Sequence, residues 1–128
     1  YSIVVAHPHG TTVVHASGGF TESGLDDVAA DVVILGVGLV ESLGRDFVEE
    51  YWRAVVTSTG AKHVFPMHFD DPTRPFGEVI PYPRVLGNFI TTAQWLEQIR
   101  DTWDTDTRLH LPEFGKTLIL YPLAGPEA

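Results

Sequence analysis

The sequence predicts an α/β layered domain, a mixed β-sheet with flanking helices. Short runs rich in Val and Ile alternate with loops, and two longer segments carry apolar residues at helical spacing. Read in order, the elements run ββ-β-α-β-loop-α-ββ, with strands leading into loops that can carry a site.

Tyr1 to Ala6 alternates and is β-branched, as a strand requires. His7-Pro8-His9-Gly10 supplies the turn, and Thr11 to His15 reads as the returning strand of a hairpin. Ala16-Ser17-Gly18-Gly19-Phe20 follows as a small-residue loop where the backbone can turn sharply or approach a ligand. Asp31 to Gly36 (DVVILG) is nearly all apolar, the mark of a strand covered on both faces. Gly44 to Thr59 places Phe47, Val48, Tyr51, Trp52, Val55 and Val56 on one broad helical face, and Gly60 closes it. Lys62 to Phe65 reads as a strand stopped by Pro66. Residues 67 to 87, with Pro72, Pro75, Pro81 and Pro83, read as a long surface loop. Thr91 to Trp103 is the second helix, with Ala93, Leu96, Ile99 and Trp103 on one side and Thr91 or Thr92 as its cap. Arg108 to Leu111 and Lys116 to Tyr121 suggest a closing pair of strands, and Pro122 to Ala128 a loose tail.

Composition narrows the function classes. The chain has 128 residues, enough for one core, and its 44 % apolar content suits a folded domain. Seventeen acidic residues against eight basic ones give a formal charge of −9. That balance disfavours nucleic acid and anionic membrane surfaces as partners, and the small-molecule substrate expected for this chain follows only from the family resemblance given below. No apolar run approaches the roughly 20 residues of a membrane span. With no cysteine, disulfides, thiolate metal sites and a Cys nucleophile are excluded. None of this fixes a compartment.

Three stretches invite chemistry. His7-Pro8-His9 has two imidazoles within chelating distance, but Thr11 and Thr12 follow where further ligands would be needed, so it reads as a hairpin tip. Gly36-Val37-Gly38 resembles the start of a dinucleotide loop. Position 41 is Glu41 where the third glycine belongs, so the pair reads as a strand terminator. The third stretch, Lys62 to Asp71 (KHVFPMHFDD), is the most informative. It places His68 on the turn just after a strand, where α/β sheets hold ligands. A neutral imidazole there could bind Zn²⁺ or another divalent metal, act as a general base, or simply pack between Phe65 and Phe69. Asp70 and Asp71 either orient His68 or serve the turn before Pro72.

Three pieces together resemble the C-terminal half of the metallo-β-lactamase superfamily. They are V13-V14-H15-A16-S17-G18-G19-F20, A30-D31-V32-V33-I34-L35-G36-V37-G38 and A61-K62-H63-V64-F65-P66-M67-H68-F69-D70-D71. The similarity spans roughly residues 1 to 121, and the Pro-x-His-x-Asp-Asp core is its most specific part.

The resemblance implies half of an αββα sandwich and, in the intact parent, a hydrolase that uses metal-activated water. Zinc, or another divalent metal, is the implied cofactor. The family's last ligand histidine falls on His68, and its bridging aspartate falls on Ser17. A neutral serine hydroxyl is a poor ligand, which counts against a dinuclear site. The family's His-x-His-x-Asp-His cluster has no counterpart in these residues and is expected upstream of Tyr1, on an N-terminal half. The implied partners are therefore that half or a second copy of the chain. The isolated chain is expected to be inactive. The alternative is a metal-free relic of the same fold that serves as a binding or structural module.

Overall fold

The computed structural model describes residues 2–121. A single five-stranded sheet runs in the order β1 (Ile3–His7), β2 (Gly10–His15), β3 (Val32–Gly36), β4 (His63–Met67), β5 (Arg108–Leu109). The first pair is antiparallel and the other three are parallel, so the sheet is mixed. His7 pairs with Gly10, which leaves Pro8 and His9 as the hairpin tip. Each parallel step after β3 needs a crossover. Helices α1 (Arg45–Trp52) and α2 (Phe89–Trp103) provide the two, and they pack on each other and on one face of the sheet.

Strand alternation sorts the side chains. Val13, Val33, Leu35 and Val64 face the helices and join Val48, Tyr51, Trp52, Val55, Val56, Leu96 and Ile99 in one buried core. Trp52 and Tyr51 are its largest fully enclosed side chains. The opposite face carries Ile3, Val5, Thr12, Val14, Val32, Ile34, His63 and Phe65 in register. The chain after β5 crosses part of that face: His110 stacks on Phe65, and Thr12 hydrogen-bonds the Tyr121 hydroxyl. Ile3 and Val5 stay about half exposed, beside a chain segment whose Leu111, Phe114 and Ile119 are also exposed.

The elements expected from the sequence form, with four differences. The first helix is α-helical only to Trp52, and Arg53–Thr57 continues it as a π segment, closed by the bond from the Ser58 N–H to the Arg53 carbonyl at 3.0 Å. Gly60 ends it at φ 69°, a left-handed position that favours glycine. Pro66 does not stop its strand, because β4 runs on to Met67. The reason lies in the ladder. The Val64 carbonyl accepts from His110, so residues 64 and 66 both direct their backbone groups toward β5, which ends at Leu109. The N–H that Pro66 lacks would have met no strand.

The cap of α2 is Asn88, which accepts from the Thr91 N–H at 3.3 Å, and neither Thr91 nor Thr92 serves as the cap. The closing strand pair reduces to the two residues of β5. Lys116 to Tyr121 forms no strand, because a turn bonded from the Lys116 N–H to the Glu113 carbonyl sends the chain back over the sheet face. Of the loop expected over residues 67 to 87, Met67 belongs to β4, and residues 72–81 form an exposed excursion held at its base by an isolated bridge between Asp70 and Pro81. The expected loose tail, Pro122 to Ala128, lies outside the described residues.

Candidate functional site

Strands β2, β3 and β4 are parallel, so their C-terminal ends share one rim of the sheet. Three loops leave there side by side. They contain Ser17 after β2, Gly36-Val37-Gly38 at the end of β3, and His68 after β4. The middle strand explains its own two glycines. A Cβ on Gly36 would collide with the carbonyl of Ala16 and lie 2.8 Å from the Ser17 nitrogen. A Cβ on Gly38 would lie 2.6 Å from the His68 carbonyl oxygen and 3.2 Å from its Nδ1. The two glycines therefore seat the Ser17 loop on one side and His68 on the other. They serve close packing.

His68 is exposed and adopts φ 61°, a left-handed conformation that costs a non-glycine residue some backbone energy. The left-handed turn follows directly from β4, whose Met67 carbonyl still accepts from Val37 at 2.9 Å. Leu39, across the rim, is also left-handed at φ 58°. Ser17 is exposed, and its carbonyl accepts from the Tyr51 hydroxyl at 3.1 Å. That hydroxyl also reaches the Gly36 carbonyl at 2.7 Å, so a buried phenol ties two loops of the rim together. Burial pushes the Tyr51 phenol far above its ordinary range, and it stays a neutral donor.

The two aspartates serve the loop. Asp71 is 8 % exposed, and its Oδ1 accepts from the Thr73 N–H at 2.9 Å and from the Thr73 hydroxyl at 2.7 Å. Arg74 stands 3.8 Å from its other oxygen. The Thr73 bonds, reinforced by Arg74, hold this carboxyl below the ordinary aspartate range. Asp70 is exposed, and among the described residues neither aspartate hydrogen-bonds His68. His7 and His9 are exposed at the hairpin tip, where the His7 ring accepts from the His9 N–H and stacks on Tyr121.

A catalytic zinc needs about three protein ligands. Among the described residues no group of three His, Cys, Asp or Glu side chains comes together to hold a metal. Of the histidines at the rim His68 is exposed and His15 is hydrogen-bonded at both ring nitrogens, so these residues by themselves do not fit the ion.

Two features of the molecule were not foreseen. His15 is 5 % exposed and hydrogen-bonded at both ring nitrogens, and it borders a cleft on the helix side of the sheet that Ser17 also lines. The π segment borders the same cleft. The inward alternation of β2 could have placed His15 opposite Ser2, but nothing in a sequence separates a π turn from an α-helix. Comparison with models of protein families, with curated proteins and with solved structures returns no match.

Proposed function

We propose that this chain is the C-terminal half of a metal-dependent hydrolase of the metallo-β-lactamase superfamily, acting by metal-activated water on a small-molecule substrate. The rim carries the reading. Parallel strands put the Ser17 loop and His68 on the same rim, either side of the β3 loop, and His68 stands exposed in a left-handed turn that costs energy to maintain. The half-sandwich reading draws support from the half-exposed Ile3 and Val5 on the face away from the helices. In this reading His68 is the ligand that residues 1–128 contribute, and the other ligands come from outside them. Ser17 stands on the neighbouring loop without binding metal.

One observation favours a second reading, a metal-free relic that binds a ligand or partner. Ser17 stands where the superfamily places a carboxylate, and the only carboxylates near His68 in sequence are exposed or committed to Thr73.

The test is metal analysis and hydrolase turnover on the full gene product, its His68→Ala variant and the 128-residue chain. Stoichiometric metal in the full product, lost with turnover in His68→Ala, is the expected outcome. Full metal and full turnover in His68→Ala would remove the reading, and tightly held metal in the 128-residue chain would relocate the ligands.

A further inference from the structure

The cleft beside β1 holds a pairing that the metal reading does not use. Ser2 continues the β1–β2 register and sits opposite His15, with its hydroxyl 2.6 Å from His15 Nδ1. His15 Nε2 lies 2.7 Å from the Gly19 carbonyl oxygen. A carbonyl can only accept, so this contact places the ring hydrogen on Nε2 and leaves Nδ1 as the acceptor for the Ser2 hydroxyl. A serine held by a histidine base, with the base oriented by a third group, is the arrangement that activates an oxygen nucleophile.

The surroundings agree. The pair opens on a cleft of about 730 Å³ lined by Val4, Phe20, Leu25, Val28 and the π-segment residues Ala54 and Val55. Gly19 lines it too, beside the His15 ring that its carbonyl holds. A Cβ at Gly19 would meet nothing within 4 Å, so the backbone there is open to approach. The π segment widens the helix beside the cleft, and such segments occur often at functional sites.

We infer that Ser2 and His15 form a nucleophile–base pair for acyl transfer from small esters or thioesters with an apolar acyl group. Ser2 Oγ attacks the substrate carbonyl carbon and its proton passes to His15 Nδ1. The tetrahedral adduct then expels the alcohol or thiol, which takes that proton. Water attacks the acyl-Ser2 ester with His15 again as base, releasing the acid and restoring the hydroxyl. Gly19 acts as a positioning residue through its carbonyl. No metal enters the cycle, so the inference stands independently of His68.

The test treats the full gene product, with excess EDTA present to silence metal-dependent turnover, with a fluorophosphonate probe and with p-nitrophenyl butyrate. Peptide mapping is expected to find the phosphonyl adduct on Ser2. Butyrate release is expected to show a burst and to fall by about 100-fold or more in Ser2→Ala, the usual weight of a positioned nucleophile and base. Circular dichroism checks that the variants fold. His15→Gln keeps a donor for Gly19 but has no base, and is expected to lose the adduct while folded. A Ser2→Cys chain alkylated at position 2 faster than a free thiol would support the pair without any esterase assay. An unlabelled Ser2, or Ser2→Ala turning over as fast as the parent chain, would overturn the inference and leave the contact a structural cross-strand bond.

Discussion

At the scale of single residues, polar side chains are placed by partners distant in sequence, and their titration follows from those partners. His63 Nδ1 and His110 Nε2 are 2.9 Å apart, a hydrogen bond between the two rings. Burial first, then the nearness of His63 and Arg108, lowers the His110 pKa below its ordinary 6.5. The unfolded chain therefore binds the His110 proton more readily than the folded one. This residue costs no stability above about pH 6.5, and it costs progressively more as pH falls below that toward its folded pKa. The urea midpoint is expected to drop between about pH 7 and about pH 5, and to drop less in His110→Gln, which keeps a hydrogen-bonding group beside His63. An equal slope in the two proteins would mean that other groups carry the acid sensitivity. The sequence showed a histidine at 110 on an expected strand. It could not show His63 facing it, because that contact spans 47 residues and depends on β4 and β5 pairing.

Elements were legible where their signals are local, and illegible where a distant residue completes them. The apolar spacing over Phe47 to Val56 marked α1, and five of its six residues are buried. The start of α2 was misread because its cap is shared. Asn88 closes the first turn locally, while Glu41 accepts from the Asn88 N–H at 2.6 Å and from the Thr92 hydroxyl at 2.8 Å. No helix-start pattern contains a carboxylate 47 residues away. Glu41→Ala removes the partner of a fully buried hydroxyl and is expected to cost about 1–3 kcal/mol. Chemical denaturation reads this, and Glu41→Gln should recover part of it. Pro66 teaches the converse. A proline does stop a central strand, and only the early end of β5 exempts this one. The rim was legible from the strand–loop–His68 order, but the two glycines were not, since their reason is the space taken by Ala16 and His68.

At the scale of the whole molecule, two places draw on strands with different support. His68 stands on the rim of β2, β3 and β4, each of which lies between two neighbours, and β3 is almost fully covered. The Ser2–His15 cleft instead depends on β1. That strand has one neighbour, and all five of its residues are exposed. Strands held on one side by few buried contacts open at a lower free energy than the core. Heating should thus detach β1 and separate Ser2 from His15 while the helices still cover Val33 and Leu35. Esterase turnover on p-nitrophenyl butyrate is expected to fade several degrees below the midpoint followed by near-ultraviolet circular dichroism of Trp52, Trp95 and Trp103. Coincident curves would show that the hairpin melts with the core. If the curves separate, the chain carries its own thermal shut-off, set by the fraying of one outer strand and reversible on cooling, at a temperature where the rest of the fold is intact.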